Sequence, residues 1–312
     1  MQRITSNMMN SQLLLNLNRN ALQMNNTQNQ LSTGRKLNKP SDDPVGITYS
    51  LRYRSELSSN DQYKKNVDSA VSWMDFNDTV LDQTNSVLQR LRELTVKAST
   101  GTNPQSALDS ISQEVTQLKG QLVDIANSQL NGKYVFNGEK FDEKPYDLKM
   151  KPDGTIMDPA EITTDKGAVK YTVGQSVDLS INLDGNEVFG QADDSISAQT
   201  SNNIFSIINR LVDKLSAGGD HSKINDELGK IDSRIDKLLT VRAEVGAKTN
   251  RIELMQSRLQ DLGINLTTLK AKTEDADYAE LIMNSKVQEN IYNASLSAGA
   301  KIIQPSLVDF LR

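Results

Sequence analysis

Apolar residues recur at helical spacing along most of the chain, and the strength of the pattern differs by segment. Near the start, Leu14, Leu17, Ala21, Met24, Gln28 and Leu31 step by three and four, the period of a coiled-coil seam. A neighbouring row, Ile4, Met8, Ser11, Leu15, Asn18 and Leu22, widens the stripe. Polar residues at inward positions make this helix marginal alone in water. A stronger series follows: Val67, Ala70, Met74, Asn77, Leu81, Thr84, Leu88, Leu91, Thr95 and Ala98. After the loop STGTNPQ, with Asn103-Pro104 as restart, a third runs through Leu108, Ile111, Val115, Leu118, Leu122 and Ile125. As one helix, residues 44–100 would extend about 85 Å at the α-helical rise, a length suited to a rod.

The first two helices are separated by LSTGRKLNKPSDDPVGIT, residues 31–48. Gly34, Pro40 and Pro44 punctuate it, because proline removes a backbone donor and clashes with the preceding turn. Asp43 is placed to cap the next helix, with Pro44 at its first position.

The periodicity changes near Asn131-Gly132. KYVFNG, AVKYTV and SVDLSINLDG read as strands from their β-branched and aromatic content. PDGT at 152–155 and Leu183 to Asn186 read as turns, and Val173 to Ser176 as a two-residue hairpin loop. Helix returns with Ile204, Ile207, Ile208, Leu211 and Leu215, stopped at Gly218-Gly219. A long seam follows from Ile224 through Leu228, Ile231, Ile235, Leu238, Arg242, Val245, Thr249 and Ile252, then Leu259, Leu262, Leu266 and Leu269. TEDAD at 273–277 is a soft break, with Asp277 and Glu280 placed as cap and third-position acid. The last stripe, Leu281, Asn284, Gln288, Ile291, Ser295, Ala298 and Ile302, is as polar as the first. The two ends mirror each other, and two marginal stripes form a stable coil only by pairing, within the molecule or with neighbours.

The expected fold is therefore mainly α, an elongated helical bundle with paired terminal helices and a small β-rich insertion. Residues 1–40 and 277–312 would be terminal coiled-coil assembly segments, disordered in the monomer. Residues 41–131 and 200–276 would be a long-helix bundle, and 132–199 an outer β-rich domain.

Composition narrows the function. The chain has 312 residues, an apolar share of 37% and an aromatic share of 5%, lean for a compact enzyme but suited to thin helical cores. A net charge of −5 argues against nucleic acid, which needs a basic face. No run of about 18 apolar residues occurs, so no membrane insertion is expected. The acid-free start before Asp42 permits an organellar transit peptide, but its helical register persists to Leu31. There is no cysteine, hence no thiolate chemistry.

Catalytic candidates are poor. His221 is the single histidine, so no histidine relay or metal cluster can be built from several; it lies in GGDHS, read as a loop. Asp42, Asp43, Asp275 and Asp277 are explained by capping, and Asp193-Asp194 by a polar loop. Arg35, Lys36 and Lys39 form a basic turn, solvated or facing an acidic neighbour. Neither an enzyme nor a cofactor is expected.

Particular residues carry a resemblance. MQRITSNMMNSQLLLNLN followed by LSTGRKLNKPSDDPVGI resembles the N-terminal signature of the flagellin superfamily: a leucine-rich helix, an L-S-[ST]-G-x-[RK]-[IL] turn at Leu31 to Leu37, then Asp42, Asp43 and Gly46. TNRIELMQSRLQDL, TEDADYAELI and a leucine-rich tail closing on Arg312 match the other end, so residues 1–138 and 200–312 are covered. The opening Arg3 to Met9, LNGKYVFNG at 130–138 and VDLSINLDGNEVFG at 177–190 resemble a junction-type member more than a filament-forming flagellin.

The resemblance implies an extracellular flagellar protein, exported unfolded through the type III apparatus without a cleaved signal. It would self-assemble into a ring-like layer between hook-associated protein 1 and flagellin, after binding an export chaperone. The assembly interface would include Ile4, Met8, Leu15, Leu22, Leu31, Leu281, Ile291, Ile302, Leu307 and Leu311. Gly34, Pro40, Asp42, Asp43 and Pro44 would form the corner between terminal helix and bundle. Two alternatives stand beside it: a small flagellin that itself builds filament, and a cytosolic coiled-coil scaffold or signalling protein.

Overall fold

The structure is a computed structural model describing residues 6–100, 103–150, 156–193, 200–218 and 221–303, with the side chains of 6, 7, 221 and 301–303 outside the description. Seven helices are described: α1 Ser6–Thr33, α2 Pro44–Ser99, α3 Gln105–Ala126, α4 Gly185–Phe189, α5 Ile204–Ser216, α6 His221–Glu274 and α7 Tyr278–Ile303. Four short strands, β1 Gln129–Leu130, β2 Lys133–Tyr134, β3 Lys170–Gly174 and β4 Val177–Ser180, form two antiparallel hairpins. The protein is mainly helical with a small β-containing insertion. Contacts divide it into two compact units, Met1–Asn60 with Asp261–Arg312, and Asp61–Gln260.

In the second unit the core follows the long seams. Every residue of the α2 series from Val67 to Ala98 is buried. Its polar members are bonded inside the core: Thr84 and Thr95 donate to the carbonyls of Val80 and Leu91, 2.8 and 2.7 Å away, and the Asn77 amide donates to the Ile181 carbonyl at 3.0 Å while its oxygen is left without a partner. α5 packs on α3 and buries Ile204, Phe205, Ile207, Ile208, Leu211 and Leu215. At about 1.5–3 kcal/mol for each large apolar side chain, such faces supply most of the drive to fold. On α6, Ile224, Ile231, Ile235, Leu238, Val245, Ile252 and Leu259 are buried as the seam predicts. Arg242, at a seam position, sits beside α2 and donates to Asp78 at 2.7 and 3.1 Å and to Asp82 at 2.6 Å.

The insertion holds less strand than the sequence suggests. Of KYVFNG, Lys133 and Tyr134 form a ladder and Asn137 makes a single antiparallel bridge to Asp184, because Asn131 (φ 53°) and Gly132 (φ 77°) turn the hairpin and Gly138 (φ 54°) turns the chain again. Val135 and Phe136 instead go inward. The second hairpin does turn through Gln175 and Ser176, pairing Gly174 with Val177, and Ser176 takes φ 60°. Leu183 to Asn186 is the start of α4 rather than a free turn, since the Asp184 carboxylate caps the Asn186 N–H at 2.8 Å. PDGT lies outside the described residues.

Asparagine side chains replace the missing ladders. Asn127 exchanges two hydrogen bonds with the Tyr146 backbone, at 3.1 and 2.9 Å. Asn186 does the same with Thr164, at 2.9 and 3.3 Å. Behind them Phe136, Tyr146, Phe189 and Phe205 form an aromatic cluster with centroid separations of 5.1–5.8 Å.

Two helix starts also differ from expectation. Pro104 is the N-cap of α3 rather than its first residue, while Asn103 donates back to the Lys97 carbonyl at 2.6 Å. α6 begins at His221, not beyond a loop containing it.

Candidate assembly surface and corner

In the first unit α1 and α7 pack antiparallel: Gly299 lies against Leu13, and Tyr278 against Leu31 and Gly34. The residues turned inward on α1 are Asn10, Leu13, Leu17, Asn20, Met24, Thr27 and Leu31; on α7 they are Leu281, Ser285, Gln288, Tyr292, Ser295 and Gly299. Both rows alternate steps of three and four, yet their phase differs from the one read in sequence. Leu14 and Gln28 point outward, and Ser285, Tyr292 and Gly299 stand where Asn284, Ile291 and Ala298 were expected. The reason is size: Gly299 would carry a Cβ only 2.7 Å from a Leu13 methyl, so this layer fills from the α1 side. At this layer Gly299 leaves room for the Leu13 side chain, where a larger residue would collide with it.

The consequence on α7 is an inverted row, with Ile282, Met283, Val287, Ile291 and Leu296 facing away, while α1 turns Leu13, Leu17, Met24 and Leu31 inward and still leaves a second apolar line outside. Met8, Leu15 and Leu22, seven residues apart, make one exposed line on α1; Met283, Val287 and Ile291 make another on α7. Leu22 is 66% exposed and Met283 60%. Most exposed large apolar side chains of the described residues fall in this unit, including Val45, Tyr49 and Leu51 on α2 and Leu262, Ile264 and Leu269 on α6. Leu262 and Leu269 were expected in the α6 seam. Such a concentration of apolar surface marks an interaction site. Of the expected interface, Leu31 and Leu281 face inward, and Met8, Leu15, Leu22 and Ile291 face outward. Ile4, Leu307 and Leu311 lie outside the described residues, as does the side chain of Ile302.

The corner is closed by specific chemistry. α1 ends because Gly34 takes φ 70° and donates its N–H to the Gln30 carbonyl at 2.8 Å, the left-handed termination that glycine permits. Asp42 accepts from the backbone of Asn38 and Lys39 at 3.0 and 2.8 Å, and these bonds hold its carboxyl below the usual range. Asp43 caps α2 through the Val45 N–H at 3.0 Å, and Leu37 plugs the turn from inside. Asp42 and Asp43 thus divide the work: one closes the loop, the other starts the helix. Pro40 lies in the exposed turn, and Pro44 is the first residue of α2.

A residue the pattern did not single out dominates this region. Glu274 ends α6 with a fully buried carboxylate, reached by Arg35 at 2.6 Å, Ser50 at 2.8 Å and Arg54 at 3.0 Å. Burial alone would raise its carboxyl, but the bonds from Arg54 and Ser50 and the charges of Arg54 and Arg35 outweigh that and hold it low. Arg35 is thus the basic residue of the turn that meets an acidic neighbour. Asp277 caps α7 through the N–H groups of Ala279 and Glu280, 2.9 and 3.3 Å away. Among the described residues, no group of three or more His, Cys, Asp or Glu side chains is arranged to hold a metal, and no helix is long and apolar enough to cross a membrane.

Comparison with known proteins agrees with this geometry. Residues 4–140 match the model of the bacterial flagellin N-terminal helical region, and residues 228–311 that of the C-terminal helical region. Flagellar hook-associated protein 3 of Escherichia coli (strain K12) is 25% identical over 86% of this chain and 87% of its own length. A flagellin of Bacillus subtilis (strain 168) is 28% identical over 89% of this chain and 90% of its own. Among solved structures, a putative flagellar hook-associated protein from Vibrio parahaemolyticus shares the fold at a TM-score of 0.64 and 18% identity, over 75% of this chain and all of the other. Hook-associated protein 3 of Legionella pneumophila does so at 0.59 and 17%, over 70% and 98%.

Proposed function

The chain belongs to the flagellin family, and from that premise we propose that it is a structural adaptor at the hook–filament junction, in the place of hook-associated protein 3. The observation that carries a structural role is the outward turn of the apolar rows on α1 and α7. A helix pair that keeps a row of large apolar side chains exposed on each helix is built to be completed by other subunits. The opening Arg3 to Met9 motif, alongside a match to hook-associated protein 3 over 86% of the chain, supports a place at the junction over one along the filament.

On this reading the subunits form a ring-like layer, with hook-associated protein 1 below and flagellin above. Residues 1–40 and 277–312 are the assembly segments, 41–131 and 200–276 the bundle, and 132–199 an outward-facing insertion. The chain reaches the extracellular flagellum through the type III export apparatus after leaving a chaperone. A second reading, a small flagellin, is favoured by the equally long match to the Bacillus subtilis protein.

Sedimentation of the concentrated chain with and without sheared filament seeds, followed by electron microscopy, separates the two. An adaptor binds seed ends and does not elongate them. Long filaments grown from this chain alone would make it a flagellin.

A further inference from the structure

Glu274 is buried at a place where a charge is expensive. Its carboxylate is fully enclosed, and it collects groups from two segments distant in sequence: Arg35 from the corner, and Ser50 and Arg54 from α2. Its backbone carbonyl accepts the Lys36 N–H at 2.8 Å, while the Lys36 ammonium reaches the Lys272 carbonyl at 3.0 Å. The backbone of Arg35 bridges Asp275, and the Ala276 N–H donates to the Gly34 carbonyl at 3.1 Å. One residue therefore ties the end of α1, the first turns of α2 and the end of α6 into one node.

The seam between α1 and α7 cannot set this geometry by itself. Its leucines and Met24 alternate with asparagines, a threonine, serines and a glutamine, and the side-chain oxygens of Asn10 and Gln288 are buried without a hydrogen-bond partner. Burying a carboxylate to join helices is poor for stability, since an apolar side chain of similar size would do as well; its use is to specify one arrangement.

We propose that Glu274 is a positioning residue for assembly, its carboxylate latching the corner at 34–36 to the first turns of α2 so that α1 and α7 are presented in one fixed geometry. This deepens the adaptor reading and rests on it. The latch acts through Arg35 and Arg54, and its loss leaves the exposed apolar rows intact while removing the frame that aims them.

The test is hydrogen exchange on the full chain, comparing wild type with Glu274→Gln, Glu274→Asp and Arg35→Gln. Charge-assisted bonds of this kind predict that Glu274→Gln speeds exchange about tenfold or more in residues 31–50 and 274–285 while α3 keeps its protection. Arg35→Gln, which leaves Arg54 on Glu274, loosens residues 31–37 alone, and adding it to Glu274→Gln has no further effect on them. Glu274→Asp restores part of the protection. Unchanged exchange in residues 31–50, or equal loss in α3, overturns the latch, and Arg35→Gln decides the matter if the Glu274 variants do not fold. Binding to filament ends separates the two levels: wild type failing to bind defeats the adaptor reading. Wild type binding while a loosened Glu274→Gln binds equally well defeats the positioning role alone.

Discussion

Replacing Gly34 by alanine tests the corner most sharply. Gly34 holds φ 70°, where a Cβ meets its own backbone, and an L-residue there costs roughly 1–2 kcal/mol. The new Cβ would also lie 2.9 Å from the Tyr278 hydroxyl. That contact is cheap to relieve. Tyr278 is 53% exposed, and its hydroxyl makes one long bond of 3.4 Å to the Leu31 carbonyl, so the ring tip can swing aside at little loss. Backbone strain therefore dominates, and the total stays at about 1–2 kcal/mol, or roughly a 5–30-fold rise in local opening. Hydrogen exchange of α1 amides near the corner measures it directly. Gly34→Asn, which tolerates the left-handed region, shows a smaller rise. The penalty of Gly34→Ala persists undiminished in a Tyr278→Phe background. Wild-type protection in Gly34→Ala, or a penalty that vanishes with Tyr278→Phe, would refute the reasoning.

Further expectations concern the second unit. Phe189→Ala, at the centre of the aromatic cluster, lowers stability by about 3–5 kcal/mol in chemical denaturation, and Phe189→Leu by clearly less. Burial alone would raise the Glu227 carboxyl, but hydrogen bonds from Arg210 and Lys214 hold it below its usual range. A depressed folded-state value means a stabilising contribution present above the unfolded carboxyl value of 4.5 and lost as pH falls through the folded one. The gap in melting temperature between wild type and Glu227→Gln accordingly narrows on acidification below that value. Arg242→Lys gives up the two-pronged grip on Asp78; with both acids half exposed the loss is at most about 1 kcal/mol and shrinks with added salt.

How much of this was legible depends on the kind of signal. The α2 seam from Val67 to Ala98 was readable because its period is strong and its partners lie on comparably regular helices. The phase of the terminal seams was not, because Leu14 and Leu13 are equally apolar in sequence and only the partner decides between them; Gly299 facing Leu13 settles it. Strand content was overread since Val135 and Phe136 look β-forming but serve an aromatic core. Asp43 showed itself through its place before Pro44. Glu274 did not, because one acid in an acidic break carries no mark of burial, and its cations come from residues more than 200 positions away. The exposed rows of α1 and α7 were visible as apolar residues, but which of them faced outward required the fold.

The central claim is that those outward rows exist for assembly and not for the stability of the subunit. The direct measurement compares wild type with a Leu22→Ser, Ile291→Ser variant, recording thermal unfolding alongside binding to sheared filament ends by electron microscopy. Both side chains are exposed, so the substitutions shift stability by no more than about 0.5 kcal/mol each. The account predicts an unchanged melting curve with end-binding lost. A variant that melts early, or one that binds filament ends as wild type does, would contradict it.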